Sequence, residues 1–441
     1  MGHIGGTDPA ALRAYMQSGL GGFILMGGNI PATEEELRTL TAALTVDPAL
    51  PPLIAVDQEG GIVSRLPWDT FPASTTLKSR PVAETSAAFA ARGALVARAG
   101  ITVDFGTVAD VPADPGSFIF GRALGTDPES AADRTVAATT AQEHFVASTL
   151  KHFPGHGAAP GDSHHVIPST GMTKAAWRET DAVPFAAGID AGASVLMYGH
   201  LVYTAVDSRP ASLSAEWHRI AREELGFDGV AVTDDLGMLL SSGDPAYADP
   251  VANGVAAVAA GNDLVLMIAG STAQTATDMA AGITAAVDAG TLPAERLEDA
   301  ATRVLTLRGG ALVRAEPGGE EGGAEGGATV RETTLAPDVL GLALRRLDAY
   351  RFDVPRRQVV RGGLHVEQPD VARQLERVQQ QLSGNERAEL HRPLVQVHAG
   401  VQAAGLFEEG LILSRQRRPV ARHRLRSEEP EGVEVRAAEI V

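Results

Sequence analysis

Residues 151–165, KHFPGHGAAPGDSHH, concentrate proton-carrying side chains on one short stretch. The fifteen positions hold four histidines and an aspartate, together with three glycines and two prolines. Glycine and proline at this density favour neither a helix nor a regular strand. Connections of this length inside a compact domain are more often functional loops than mere links. We therefore expect a loop that carries chemistry.

Within this stretch, Asp162 and His164 are two residues apart, so in an extended segment both side chains project to one side. A carboxylate favours the protonated form of an adjacent imidazole, which makes the pair a candidate proton donor and acceptor. The alternative is that Asp162 caps a turn and His164 is only solvated. Both interpretations remain open on the sequence.

A second acidic site is the pair Asp234 and Asp235 in VTDDLGM. Neighbouring side chains at a strand end point in opposite directions, so we expect one carboxylate to face the site and the other to cap the next turn. Glycoside cleavage needs a nucleophile or base on one side of the anomeric carbon and a proton donor on the other. Asp234 is the candidate for the first role.

Short apolar segments that resemble strands buried on both faces recur between alanine-rich helical stretches. Eight such units in about 300 residues predict an α/β fold of the (β/α)8 TIM-type barrel class, with a doubly wound open sheet as the alternative. The eight predicted strands are 2–5, 22–26, 53–57, 101–106, 148–152, 194–200, 229–235 and 263–268. The clearest helical stretches are 33–44, 131–145, 214–225, 271–289 and 297–308.

In such barrels the working side chains lie at the carboxyl ends of the strands and in the loops that follow. The barrel therefore predicts that the candidate side chains meet at one mouth, with residues 151–165 as the loop after the fifth strand. The side chains at predicted strand ends are those of Asp57, Lys151, His152, His200 and Asp234.

Composition excludes several classes of protein. The chain has no cysteine, so disulfides and thiolate metal sites are excluded. Most of its net charge of −18 lies in residues 1–308, and an acidic surface argues against a nucleic-acid partner. No run approaches the roughly eighteen apolar residues of a membrane span. We expect a cytoplasmic protein, or an exported one if a signal segment precedes this sequence.

The composition changes near residue 309. Residues 318–327, GGEEGGAEGG, are typical of a flexible acidic linker, and the sequence beyond it contains arginine but no lysine. We predict a catalytic barrel over 1–308, a Gly/Glu-rich linker over 309–330, and an Arg-rich appendage over 331–441 that is disordered or a small helical unit.

Four motifs in order carry a resemblance to a known family: AVDQEGGIVSRL from residue 55, KHFPGHG with DSH from 151, LMYGHLVY from 196, and REELGFDGVAVTDDLGM from 222. Together they resemble glycoside hydrolase family 3, and within it the single-barrel bacterial β-N-acetylglucosaminidases that act on cell-wall fragments. The resemblance covers about residues 2 to 308.

The resemblance implies a retaining exo-β-N-acetylglucosaminidase that needs neither cofactor nor metal and acts on small GlcNAc-containing fragments. It implies that Asp234 is the nucleophile, and that His164, paired with Asp162, is the acid/base on the loop after strand five. The sugar-binding positions that it implies are Asp57, Arg65, Arg122, Lys151 and His152.

Three alternatives remain open. The first keeps the scaffold and changes the reaction. A histidine donor does not repel an incoming anion, so phosphate could replace water as the acceptor and give a phosphorylase, or the enzyme could be a broader β-glucosidase. A metal-dependent barrel hydrolase could use His152, His200 and Asp234 as ligands. The third is a glycan-binding protein without activity. The presence of Asp234, Asp162 and His164 together argues against it, because binding alone needs no nucleophile. The sequence leaves the oligomeric state undetermined.

Overall fold

A computed structural model of the chain describes residues 1–112 and 114–315. Its centre is a sheet of six parallel strands in the order β1-β2-β5-β6-β8-β10, and residues along them are buried on both faces, as their apolar sequences predict. These strands are β1 (Gly22–Leu25), β2 (Leu53–Val56), β5 (Val103–Val108), β6 (Ala147–Phe153), β8 (Val195–Tyr198) and β10 (Val230–Thr233). Two short pairs lie outside it, the antiparallel β3 (Gln58–Gly60) and β4 (Val63–Ser64), and the parallel β7 (Ser169–Thr170) and β9 (Val202–Tyr203).

The first and last predicted strands are single bridges rather than full strands. Gly2 pairs with Phe23 in β1, and Leu264 pairs with Val232 in β10. The two edge segments also meet each other, because the Met1 nitrogen donates to the Val265 carbonyl (2.8 Å). The sheet thus closes on itself through eight segments, which confirms the barrel class predicted from the sequence.

Helices alternate with the strands and begin at residues suited to capping. Thr33 accepts from the Glu36 amide while Glu36 bonds back to Thr33, and Asp127 precedes a proline in the first turn of its helix. The helices are α1 (Pro9–Met16), α2 (Glu34–Leu44), α3 (Ser74–Leu77), α4 (Val82–Arg98), α5 (Pro128–Gln142), α6 (Lys174–Glu179), α7 (Ala182–Asp190), α8 (Ala215–Arg219), α9 (Leu236–Ser241), α10 (Pro250–Ala260), α11 (Ala273–Asp288) and α12 (Ala294–Ala315). A π-helical turn over Ile220–Glu224 continues α8.

Two local predictions need correction. The final helix does not end at 308, because α12 continues to Ala315 and takes the first seven residues of the predicted linker. Residues 151–153 of the histidine-rich stretch belong to β6, so the loop after the fifth strand begins at 154 and not at 151. The rest of the linker and the predicted appendage, residues 316–441, lie outside the described residues. Among the described helices, none is long and apolar enough to span a membrane.

Candidate active site

The candidate residues lie where the parallel strands end. Asp57 follows β2 directly, Lys151 and His152 are near the end of β6, and Asp234 follows β10. Arg122 is on the loop between β5 and α5. Because the carboxyl ends of barrel strands share one face, these side chains surround a single mouth.

Lys151 joins two carboxylates at this mouth. Its side chain is buried, and Nζ lies 3.0 Å from Asp57 Oδ1 and 2.7 Å from Glu59 Oε1. Arg122 donates to both oxygens of Glu59, at 2.8 Å to the Oε1 that Lys151 also contacts and at 3.0 Å to Oε2, and Arg65 lies 3.4 Å from Asp57. Four of the five predicted sugar-binding residues are therefore linked through shared carboxylates.

These charges hold one another in the ionised form. Burial raises the pKa of Asp57 and of Glu59, but the neighbouring Lys151 and arginine charges outweigh it, and both pKa values fall below their usual range. Burial lowers the pKa of Lys151, and the two carboxylates reverse that shift and raise it. The result is a buried array of fixed charges, suited to strong hydrogen bonds with sugar hydroxyls.

Glu59 is the residue of this array that the sequence reasoning missed. It is 3% exposed and links Lys151 to Arg122. Its position two residues after Asp57 was the available indication, because alternate residues of an extended segment face the same side.

The hairpin of β3 and β4 that carries Asp57 and Glu59 is held from behind by buried polar contacts. Gln58 Nε2 donates to Ser64 Oγ (2.6 Å) and to Asp69 Oδ2 (2.7 Å), and Asp69 pairs with the fully buried Arg92 at 2.6 Å. Gly60 has φ +82°, and a Cβ there would lie 2.2 Å from Arg92 Nη2. The close approach of Arg92 therefore requires glycine at this position.

Asp104, in β5, supports the same hairpin from a buried position against α5. Its Oδ1 accepts the Gln58 amide at 3.0 Å, and Gln142 of α5 donates to Oδ2. Burial is the main influence on this carboxyl and raises its pKa to about 8. At neutral pH Asp104 is therefore largely uncharged.

His152 is bound by protein groups on both ring nitrogens. Nδ1 lies 2.7 Å from Asp110 Oδ2, and Nε2 lies 3.3 Å from Arg122 Nη2. Burial, reinforced by the Arg122 charge, lowers the pKa of His152 well below its ordinary value, so the ring is neutral. Asp110, which lies two residues beyond β5, was not among the residues predicted from the sequence. We refer to this set as the site floor: Asp57, Glu59, Arg122, Lys151 and His152, of which Glu59, Lys151 and His152 are buried.

Asp234 adjoins this floor and is half-buried. Burial raises the pKa of its carboxyl, but the imidazoles of His152 and His200, the Asp235 amide and the Lys151 charge outweigh burial and bring the pKa below the ordinary value. Asp234 is therefore ionised at neutral pH, as a nucleophile must be.

Asp235 has a different role from Asp234: it caps the next turn, as predicted from the alternation of side chains at a strand end. Its carboxylate accepts the amides of Gly237 (2.9 Å) and Ile268 (2.7 Å) and caps α9. Its carbonyl lies 2.9 Å from His200 Nε2, and His200 Nδ1 lies 2.7 Å from Ser212 Oγ. His200 thus holds the backbone next to Asp234.

The loop after β6 begins with a firmly held stem. Trp177 donates to the Pro154 carbonyl at 2.8 Å, and the Tyr203 hydroxyl donates to the Gly155 carbonyl at 2.6 Å. Gly155 has φ +135°, and a Cβ there would lie 2.6 Å from Asp181 Oδ1. No side chain larger than hydrogen fits at this position without displacing Asp181.

Beyond the stem, residues 160–166, which we call the loop tip, carry Asp162 and His164 as a hydrogen-bonded pair. Asp162 Oδ1 lies 2.6 Å from His164 Nδ1 and also accepts the His164 amide at 3.0 Å. The segment is a turn, with the His165 amide donating to the Asp162 carbonyl, so the expected extended conformation was wrong. Asp162 therefore caps the turn and also contacts the imidazole, and the role of the pair as proton donor stays a prediction.

A series of rings leads from the loop tip to the site floor. His164 makes an edge contact with Phe118 (6.5 Å between centroids), and Phe118 makes one with the buried His156 (4.6 Å). His156 in turn lies 5.9 Å from His152. The predicted proton donor therefore lies at the rim, two rings away from the floor.

The proposed metal ligands are occupied by protein partners. His152 and His200 each have both ring nitrogens within hydrogen-bond distance of another protein atom. Across the described part of the chain, no three His, Asp or Glu side chains are placed to hold a metal ion together. This geometry counts against the metal-dependent alternative that used these residues with Asp234.

Comparison with known proteins agrees with this architecture. Residues 9–307 match the model of the glycosyl hydrolase family 3 N-terminal domain. The chain is 37% identical over 268 residues to a β-hexosaminidase of Chromobacterium violaceum, covering 56% of this chain and 71% of that protein. It is also 37% identical over 257 residues to a β-hexosaminidase of Pseudomonas aeruginosa, covering 56% and 75%.

Solved structures give the same result. A family 3 β-N-acetylglucosaminidase from Paenibacillus sp. aligns with a TM-score of 0.66 at 28% identity, covering 78% of this chain and 65% of that one, so this chain spans less than two thirds of its length. A β-N-acetylhexosaminidase from Beutenbergia cavernae aligns with a TM-score of 0.62 at 32% identity, covering 70% and 96%. With the family model matching well over half of its length, this chain belongs to glycosyl hydrolase family 3.

Proposed function

We propose that this chain is a retaining exo-β-N-acetylglucosaminidase that releases terminal β-linked N-acetylglucosamine from cell-wall-derived glycans. The observation that carries the proposal is the ionised Asp234 beside a buried array of charged side chains, with the Asp162–His164 pair on the loop that borders the same mouth. A nucleophile and a separate proton donor are the two groups that retaining hydrolysis needs.

In the first step, an Asp234 carboxylate oxygen attacks the anomeric carbon and the bond from that carbon to the leaving oxygen breaks. His164 supplies a proton to the leaving oxygen. Because Nδ1 of His164 faces Asp162, the proton comes from Nε2. The loop tip must move from its contact with Phe118 toward the floor for this transfer, and the glycines and prolines of the loop suit such closure.

In the second step, the now neutral His164 takes a proton from water through Nε2. The water oxygen bonds to the anomeric carbon, the ester bond to Asp234 breaks, and the carboxylate is restored. Two displacements at the same carbon retain the β configuration.

The sugar assignment rests on the floor and on the relatives. Carboxylate, ammonium and guanidinium groups bond to hydroxyls strongly, and Asp57, Lys151 and Arg122 supply all three at one place. The relatives are named β-hexosaminidase or β-N-acetylglucosaminidase, which supports an N-acetylhexosamine in preference to glucose.

The first test compares two substrates. The full chain is expected to hydrolyse an aryl β-N-acetylglucosaminide faster than the matching aryl β-glucoside, with free sugar as product in phosphate-free buffer. A sugar 1-phosphate formed on adding phosphate would identify a phosphorylase instead. Faster turnover of the glucoside would contradict the sugar assignment, and binding without turnover of either substrate would contradict the enzymatic proposal.

The second test concerns Asp234. Asp234→Gly is expected to lower turnover by roughly four orders of magnitude because no covalent intermediate can form. Azide, added at high concentration to this variant, is expected to occupy the vacated space and give the α-glycosyl azide from an activated aryl substrate. A variant that retains ordinary hydrolysis, or a β-azide product, would refute the assignment.

A further inference from the structure

Asp110 is a buried carboxylate that the proposed reaction does not use. Its Oδ1 accepts two backbone amides, those of His152 (3.2 Å) and His156 (2.6 Å). Its Oδ2 faces Nδ1 of His152 at 2.7 Å. One carboxylate thus contacts both the backbone where the loop after β6 begins and the imidazole at the site floor.

The other side of the imidazole determines which nitrogen carries the proton. Nε2 of His152 faces Nη2 of Arg122, and a guanidinium has donors but no acceptor. Arg122 is held in place by its two bonds to Glu59. Nε2 must therefore be the unprotonated acceptor, which leaves the proton on Nδ1, where Asp110 accepts it.

We propose that Asp110 is a positioning residue that fixes His152 in the Nδ1–H tautomer, so that its Nε2 lone pair faces Arg122 and the barrel mouth. The unprotonated Nε2 lets Arg122 lie against the ring and bond to Glu59 at the same time. Without this tautomer, an N–H of His152 would oppose an N–H of Arg122, and the two would separate.

A substitution to asparagine distinguishes this role from simple support of the loop. In Asp110→Asn, the side-chain oxygen still accepts both backbone amides, so the support remains. The new NH2 group then faces His152 Nδ1 as a donor and forces the proton to Nε2. A purely structural role predicts a nearly normal variant, whereas the positioning role predicts an altered one.

The first measurement is nitrogen NMR on protein labelled with ¹⁵N-histidine, which distinguishes protonated from unprotonated ring nitrogens. The wild-type chain is expected to show His152 as Nδ1–H, and Asp110→Asn is expected to show it as Nε2–H. Asp181→Asn is the matched control, because Asp181 is a second buried carboxyl beneath the same loop and is bonded to Thr180. It is expected to leave the tautomer of His152 unchanged.

The second measurement is kinetic, and it alone rests on the proposed function. Asp110→Asn is expected to lower kcat/KM for the aryl β-N-acetylglucosaminide about 10- to 100-fold, the usual result of one opposed buried hydrogen bond. The NMR result needs no substrate, so it stands even if the wild type hydrolyses no such glycoside. An Nε2–H ring in the wild type, an unchanged tautomer in the variant, or a changed tautomer with unchanged kcat/KM would each overturn the proposal.

Discussion

The site floor and the loop tip have complementary roles in the proposed reaction, and they lie in opposite physical settings. Lys151 in the floor is 1% exposed and lies between two carboxylates, each of which has an arginine partner of its own. At the tip, the side chain of His164 is 56% exposed and that of Asp162 is 38% exposed. The floor is a fixed network, and the tip is a single pair within a turn.

This difference matches what each part must do. Groups that bind a sugar act best when fixed in advance, because no energy is then spent on ordering them during binding. A loop that carries the proton donor must instead open for the substrate to enter and for the product to leave. Such motion needs a segment of low local stability. The stem, held by Trp177 and Tyr203, separates the two, so motion of the tip need not disturb β6.

A substitution in the loop tip is expected to have the largest effect, and this effect is on turnover and not on stability. His164→Ala is expected to lower turnover of an unactivated substrate about 100- to 10,000-fold, the usual contribution of general acid/base catalysis. Its free energy of unfolding should change by less than about 0.5 kcal/mol, because the side chain is exposed. Kinetics on a natural oligosaccharide and denaturant unfolding measure the two quantities.

The neighbouring His165→Ala is the matched control for that variant, since His165 is also exposed on the same turn. It should retain turnover within a few-fold of the wild type. If His165→Ala were the slow variant and His164→Ala the normal one, the acid/base assignment would move by one residue.

A floor substitution is expected to reduce stability as well as activity. Lys151→Met removes the cation between Asp57 and Glu59 and should lower the free energy of unfolding by about 3–5 kcal/mol, since both carboxylates lose the buried cation that they share. Lys174→Met is the control, because Lys174 also pairs with two carboxylates, Glu224 and Glu216, but at the surface.

The control should lose less than about 1 kcal/mol, as surface ion pairs contribute little. Denaturant unfolding of the two variants side by side makes the comparison. Equal losses of unfolding free energy in the two variants would mean that burial does not make the ion pairs of the floor more important for stability than those at the surface.

The same contrast explains what the sequence could and could not predict. Asp162 and His164 are two positions apart, so their pairing is a local property that the motif displays. Glu59 and Asp110 were missed because their partners are distant along the chain, Arg122 and His152 respectively. Which distant groups meet at a barrel mouth depends on register and loop path, and a single sequence does not show either.

The fold itself was largely predictable, because strands buried on both faces leave continuous apolar runs between amphipathic helices. The first and last segments of the barrel were harder to predict. Segments 2–5 and 263–268 have the same apolar pattern as the other strands but pair through single bridges, since pairing length depends on the neighbour as well as on composition. The end of α12 was missed because Gly309 and Gly310 resemble a helix end, although the helix continues through them.

The most gradual predicted effect is the pH dependence of stability that comes from Asp104, which supports the hairpin of the floor. Asp104 has a pKa of about 8 in the folded chain, whereas an unfolded aspartate titrates near 4. Between these values the unfolded chain binds fewer protons than the folded chain, so stability falls as pH rises, by up to about 1.4 kcal/mol per pH unit from this group. The contribution is fully present below pH about 4 and is lost once the pH passes about 8.

Asp104→Asn should flatten this decline, because an amide keeps the bond from Gln58 and donates to a reoriented Gln142 without titrating. Unfolding free energies measured from pH 5 to pH 9 give the slopes, with Asp133→Asn, an exposed aspartate on α5, as the control that should follow the wild type. A variant as steep as the wild type would show that Asp104 is already charged in the folded chain. The support beneath the hairpin would then be an ion rather than a neutral acid.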